Sequence, residues 1–378
     1  MEDDNESVHS NNSEKQEIFQ FDDMNTALES EPIKNSFSKI QKDDIVLPIK
    51  SFSLGKRMQL EDFNVLSVIG KGAYGKVYLV REIETKQIFA MKVLKKASIV
   101  LHEQQTRNER SILKDIDSPF IVKLYYAFQS PFRLYLILTY CAGGELFTLL
   151  NRERMFTQDA SRFYISELLL GIEHLHSLGI IYRDLKPENV MLDNDGHIKL
   201  TDFGLSKVAI DAHTICGTIE FMAPEILQEQ PYGKVVDYWS LGIMLYDMLT
   251  GSPPFTGSNR KKIMENVVKK KPMFPKYLTT TSRDLLTKLL KKHPGVRLGS
   301  QGIDQIKSHQ FFEKLDWKKV LEKQYEPPFK PVLNDSLDTS NFASEFTEMS
   351  SNSLLNDQLA LVDTNPFEGF SFVASHKS

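Results

Sequence analysis

The chain predicts an α+β fold, with a small strand-rich part followed by a larger helical part. Three observations predict it. Between residues 63 and 139 the apolar residues fall in short β-branched and aromatic runs separated by glycine or charged turns. Beyond Cys141-Ala142-Gly143-Gly144 they recur at helical spacing over long windows. The length, 378 residues with 41% hydrophobic and 25% charged, allows two or three structural units and a sizeable core.

In order, Phe63–Gly70 and Val77–Arg81 read as strands around a glycine-rich turn, and Ile88–Leu94 as a third. Glu103–Leu113 has helical spacing, and Leu134–Thr139 is an apolar run suited to a buried strand. Helices are expected over Ala160–His176, Val235–Thr250, Arg260–Lys269 and Ser282–Lys291. From about Tyr325 the chain becomes irregular, yet it keeps Phe329, Phe342, Phe346, Phe367, Phe370 and Phe372. That spacing of aromatics predicts a segment wrapping a folded surface. Residues 1–31 hold ten acids and one base, a net −9, so the remainder sums to +5 against the whole chain's −4. Polar and acidic, residues 1–58 are expected to be disordered. Their one apolar cluster, Ile18-Phe19-Gln20-Phe21, reads as a patch in a tail.

Composition excludes several classes. The mild acidity argues against a nucleic-acid binder. Two cysteines, Cys141 and Cys216, form no disulfide framework and suit a reducing compartment. No apolar run of ~18 residues is present, so no membrane insertion is expected. The acidic start, Met1-Glu2-Asp3-Asp4, differs from a secretory signal. Lys261, Lys262 and Lys269-Lys270-Lys271 read as a solvated face, and the histidines show no metal-ligand spacing.

The chemistry is concentrated in four places. The first is Ile69-Gly70-Lys71-Gly72-Ala73-Tyr74-Gly75-Lys76-Val77, a GxGxxGxV string. A dinucleotide-binding turn also uses GxGxxG, but there the glycines lead into a helix. Here Val77-Tyr78-Leu79-Val80 reads as a strand, which favours a hairpin whose backbone N–H groups face phosphates. Second, Lys92 sits in the apolar strand Phe89-Ala90-Met91-Lys92, where a lysine needs a partner, and Glu109 in the following helix supplies one. Third comes Tyr182-Arg183-Asp184-Leu185-Lys186-Pro187-Glu188-Asn189. Asp184 suits acceptance of a hydroxyl proton, Lys186 neutralisation of a phosphoryl group, and Asn189 ligation of Mg²⁺. Fourth, thirteen residues past Asn189, is Asp202-Phe203-Gly204, with Asp202 as the main Mg²⁺ ligand, followed by Ala223-Pro224-Glu225. Each string occurs by chance; their order and spacing together make a protein-kinase set.

Over residues 63–372 the chain resembles the AGC group of serine/threonine protein kinases, and within it the ribosomal protein S6 kinases. Tyr182 before Arg183-Asp184, Cys216-Gly217-Thr218 and Glu326-Pro327-Pro328-Phe329-Lys330-Pro331 carry the group likeness. Lys95-Lys96-Ala97-Ser98-Ile99-Val100, Leu249-Thr250-Gly251-Ser252-Pro253-Pro254-Phe255 and Gly369-Phe370-Ser371-Phe372-Val373-Ala374 carry the closer one. The resemblance implies a bilobal kinase domain over 63–312, with a small lobe at 63–140 and a large lobe at 141–312. A wrapping C-terminal domain follows at 313–378. It implies a monomeric, cytoplasmic and also nuclear signalling enzyme using ATP and Mg²⁺. Protein substrates with basic residues before the acceptor, and upstream activating kinases, would be its partners.

The same resemblance implies residue roles. Val77, Ala90 and Met191 would enclose the adenine, with Leu138 as gatekeeper and Thr139, Tyr140 and Cys141 as the hinge. Glu145 would meet the ribose, and Glu145, Glu188 and Asp247 would hold substrate arginines. Leu113, Leu124, Tyr182 and Phe203 would stack, Arg297 would pair with Glu225, and Asp237 and Trp239 would brace the catalytic loop. Thr214 would be phosphorylated and meet Arg183 and Lys207. Ser371 would be phosphorylated in the motif Phe367-Glu368-Gly369-Phe370-Ser371-Phe372, docked in a groove floored by Val100 and Leu134 and rimmed by Lys96. The chain departs from the group at Tyr238 and Thr139 and lacks a proline after Ser350 or Ser353, while Phe21-Asp22-Asp23-Met24 is a degraded docking motif. A non-catalytic pseudokinase scaffold is the alternative, but Lys92, Asp184, Asn189 and Asp202 are all present.

Overall fold

A computed structural model describes residues 58–72, 74–99, 102–203, 218–351 and 367–374, the Gln105 side chain apart. Expectations for residues 1–57, Ala73, Val100, Gly204, Lys207, Thr214, Cys216 and Ser353 lie outside the described residues.

The β-branched and aromatic runs pair into one antiparallel sheet. Its strands are β1 (Phe63–Gly72), β2 (Gly75–Glu82), β3 (Ile88–Lys95), β4 (Leu124–Gln129), β5 (Arg133–Thr139) and β9 (Phe372–Val373). The order is β1-β2-β3-β5-β4-β9. Period-two alternation splits its side chains between two faces. Leu79, Ala90, Leu94, Leu136 and Leu138 join the main core, while Phe63, Tyr78, Phe89, Phe128 and Tyr135 form a second apolar cluster. Two short helical segments, α1 (Lys96–Ile99) and α2 (Glu103–Asp115), link β3 to β4.

The large part begins at β6 (Gly144–Glu145), which pairs with β7 (Val190–Leu192), itself paired with β8 (Ile198–Leu200). Around this small sheet lie α3 (Leu146–Glu153), α4 (Gln158–Ser177), α5 (Pro224–Leu227), α6 (Val235–Thr250), α7 (Arg260–Lys269) and α8 (Thr280–Leu289). Side-chain caps set several starts: Thr157 accepts from Ala160 N, Asn259 from Lys262 N and Thr279 from Ser282 N. Thirteen of sixteen residues of α6 are buried, so it is the central helix of this part. It ends where Gly251 takes φ +78°, a left-handed cap that glycine adopts without strain. Arg297 closes the base with a bidentate pair to Glu225 at 2.6 and 2.8 Å, both side chains buried. Shorter helices α9 (Asp304–Lys307), α10 (Trp317–Leu321) and α11 (Ser344–Thr347) follow, and α11 packs on β1.

The expected helices are present within two residues at each end. The strands β4 and β6 to β9 and the helices α1, α3, α5, α9, α10 and α11 were not expected. Among the described residues no helix is long and apolar enough to cross a membrane.

Candidate active site

A cleft of about 530 Å³ separates the strand-rich and helix-rich parts. β1 and β2 form its roof. Gly75 lies so close to β3 that a Cβ would come within 1.8 Å of the Val93 carbonyl oxygen, which is why a glycine stands there. Ile69, Gly70, Lys71, Gly72, Tyr74, Gly75, Lys76 and Val77 line the cleft with Ala90, Leu138, Tyr140, Glu145 and Met191. The register explains the grouping: Ala90 on β3 faces Leu138 on β5, and Leu138 faces Leu124 on β4. Thr139 is tied to the loop before β4, its hydroxyl accepting from Lys123 N and its own N–H reaching Lys123 O, each at 3.1 Å.

At the inner end, Lys92 Nζ bridges Glu109 Oε1 of α2 at 2.7 Å and Asp202 Oδ1 at 2.6 Å. Burial alone would lower the Lys92 pKa, but the two carboxylates hold it well above the ordinary lysine range. Lys92 in turn holds the Asp202 carboxyl below its usual value. A strand lysine, a helix glutamate and the start of Asp202-Phe203 are thereby fixed in one arrangement. Phe203 packs edge-on against Tyr182 at 5.5 Å between ring centroids, and Leu113, Leu124, Tyr182 and Phe203 are all buried.

Below them runs the loop from Tyr182 to Asn189. Arg183 takes φ +67° and Asp202 φ +56°, left-handed values that cost a non-glycine residue energy. The loop is held by the buried Asp237 of α6. Its carboxylate accepts from Tyr182 N at 2.9 Å and Arg183 N at 2.7 Å, and pairs with His176 Nε2 at 2.7 Å. The catalytic candidates converge here: Asn189 Nδ2 donates to Asp184 O and Oδ2 at 2.8 and 2.7 Å, and Lys186 Nζ lies 3.1 Å from Asp184 Oδ2.

Asn189 turns its amide nitrogen toward Asp184, leaving the oxygen as that group's acceptor, and the Asp202 side chain is 56% exposed at the cleft. One carboxylate and one amide oxygen beside a phosphate pocket fit a hard cation that keeps waters and phosphate oxygens as its other ligands. Among the described residues no cluster of three His, Cys, Asp or Glu forms a self-sufficient metal cage.

A second feature is acidic. Burial and the nearby Glu188 push the Asp247 carboxyl up to about 6. Burial, Glu188 and Asp202 raise Glu145. Glu188 Oε2 is buried without a hydrogen-bond partner among the described residues. Glu188 thus couples electrostatically to both of the other acids expected to hold arginines.

The tail completes the site. Tyr140 Oη donates to Asp338 O at 2.6 Å, its ring lies parallel to Phe342, and Asn341 Nδ2 donates to Ala142 O. Phe342 and Phe346 line the cleft, with Val122 and Thr201. These four were not singled out as nucleotide contacts; the aromatic spacing of the tail was the available signal for Phe342 and Phe346.

Two comparisons bear on this geometry. The model for the protein kinase domain matches residues 63–312, and that for the protein kinase C terminal domain matches residues 333–372. The chain belongs to the protein kinase family. It is 51% identical over 331 residues to a ribosomal protein S6 kinase beta of Caenorhabditis elegans, covering 84% of this chain and 60% of that protein. To ribosomal protein S6 kinase alpha-1 of Homo sapiens it is 47% identical over 323 residues, 83% of this chain and 44% of the relative. The kinase is therefore an AGC-type relative of the S6 kinases, and it spans about half the length of the curated relatives it matches, up to three fifths.

Proposed function

We propose that the chain is a serine/threonine protein kinase that transfers the γ-phosphoryl group of ATP to acceptors preceded by arginine. The observation that carries the proposal is the Glu109–Lys92–Asp202 bridge set directly above the Asp184–Lys186–Asn189 cluster. Catalysis of this kind is mainly positioning and charge stabilisation, and every group it needs is present. Lys92 would hold the nucleotide phosphates. Asp184 would take the proton of the acceptor hydroxyl as its oxygen forms the new P–O bond, the bond to the β–γ bridging oxygen breaks, and ADP leaves. Lys186 would neutralise charge on the group in transit. Mg²⁺, held by Asp202 and Asn189, would supply charge neutralisation at the phosphates. The intact Lys92, Asp184, Asn189 and Asp202 weigh against a pseudokinase scaffold.

Glu145, Glu188 and Asp247 support arginine selection, since guanidinium pairs with carboxylates bidentately and would relieve their mutual repulsion. An oriented peptide-library screen tests this: arginine should dominate at about −3 and −5 and exceed lysine there. A dominant proline at +1, or acidic residues around the acceptor, would contradict it.

We further propose activation by upstream kinases at Thr214 and Ser371, each phosphate bringing about −1.5 to −2 charge. Arg183, whose guanidinium donates to Tyr232 Oη at 2.7 Å, supports the first, and Arg110, described below, the second. We also propose a reducing cytoplasmic setting, with the free, buried Cys141 thiol as its support.

A further inference from the structure

The glycine-rich hairpin and α2 meet at a contact that the proposed reaction leaves unused. Tyr74 stands at the turn between β1 and β2. Its carbonyl accepts from Lys95 N at 3.1 Å, and Gly75 beside it is seated on the Val93 carbonyl. The hairpin tip is thus fixed over the end of β3, and the Tyr74 side chain extends toward the start of α2. There its Oη lies 3.2 Å from His102 Nε2, with the two rings 5.1 Å apart at 57°. His102 is the N-cap residue of α2, and its carbonyl accepts from Thr106 Oγ1 at 3.2 Å, so the imidazole moves with the helix that carries Glu109. Both rings line the cleft.

We infer that Tyr74 and His102 form a positioning pair that ties the roof of the cleft to α2. Closure of the roof and the inward seating of Glu109 then become one event. A nucleotide under the hairpin favours the helix position that pairs Lys92 with Glu109, and the seated helix favours the closed hairpin. By reciprocity each strengthens the other by the same factor. The contact is compatible with either neutral tautomer: the phenol donates to a bare Nε2, or Nε2–H donates to the phenol oxygen. The pair acts on ATP only if the cleft is the nucleotide site proposed above, so the test separates the two.

The full chain is compared with Tyr74→Phe, His102→Leu, the double variant and His102→Gln. Two quantities are read: the Kd for Mg²⁺-ATP by titration, and, without nucleotide, the hydrogen exchange of the amides at Lys71, Gly72, Gly75 and Lys76. Each of Tyr74→Phe and His102→Leu should weaken ATP binding on the order of three- to tenfold, the range one such hydrogen bond supplies. The double variant should be no weaker than the worse single one, and His102→Gln should recover most of the loss. The hairpin amides should exchange faster in nucleotide-free His102→Leu. Additive penalties in the double variant, or unchanged exchange at the hairpin, would overturn the pair even where ATP binds normally. A wild type whose exchange responds to His102→Leu but which binds no ATP would overturn the nucleotide assignment and its affinity consequence, leaving the contact itself established.

Discussion

Asp247 binds a proton more readily in the folded chain than a free aspartate does, because burial and Glu188 both penalise its charge. The sign follows directly. With a folded value near 6, the carboxyl is largely neutral at pH 5 and charged above pH 7. An arginine peptide needs the charged form, so its KM should fall as pH rises from 5 to 7 and then level off. Asp247→Asn should flatten that profile, which steady-state assays of an arginine and an alanine peptide would show; an identical profile in the variant would remove Asp247 from substrate recognition. The same raised value means that ionising Asp247 destabilises the fold, so Asp247→Asn should raise Tm at pH 7.5 while losing selectivity. At this level the sequence was most informative. Lys92, Glu109, Asp184, Asn189 and Asp202 announce themselves by type and spacing, since few residue types perform each role. The Tyr74–His102 contact was illegible, because nothing local says which distant side chain an exposed turn residue meets, and the spacing of the tail aromatics signalled a wrapping segment without saying that Phe342 lines the cleft.

The tail shows how one element acts on another. Phe367 and Phe370 are fully buried, and Phe372–Val373 adds a strand beside β4. α2 grips the segment through its backbone: Arg107 donates to Glu368 O, and Arg110 to Phe370 O and Ser371 O. Gln129 donates to Phe367 O at 2.8 Å. The sequence expectation placed the phosphate-binding cations around Lys96. Lys96 is buried, donating to Gln129 Oε1 and lying 5.9 Å from the Phe367 ring, while Arg110 donates to the Ser371 carbonyl oxygen. Removing a buried phenylalanine ring costs about 3–5 kcal/mol. Phe370→Ala should therefore release the tail and lower activity of Thr214-phosphorylated enzyme at least tenfold. Ser371→Ala decides between a switch and a fixed clasp: activity well below wild type indicates the switch, and full activity sinks it. The strand β9 escaped sequence reading because two residues carry no periodicity, and β4 because Phe120–Phe128 reads as nearly continuous apolar sequence rather than as alternation.

The molecule as a whole places one buried helix, α6, beneath everything that must stay still. Asp237 of α6 holds the strained Arg183, and Asp247 near its far end lies within electrostatic reach of Glu188. Above it, α2 meets the roof of the cleft through its N-cap residue His102 and the tail through Arg107 and Arg110. The fold class was legible because a period of two gives way to a period of 3.6 near Gly143-Gly144. The small sheet behind the catalytic loop was not, since strands of two or three residues are set by their partners rather than by propensity. The most direct measurement is transfer of labelled γ-phosphate from Mg²⁺-ATP to a serine peptide with arginine at −3 and −5, by the Thr214-phosphorylated chain and by its Asp202→Ala variant. Asp202→Ala should remain folded and lose turnover by about 10²–10³ or more. No transfer by the phosphorylated wild type, or near-normal turnover in Asp202→Ala, would contradict the assignment of this cleft as a phosphotransferase site.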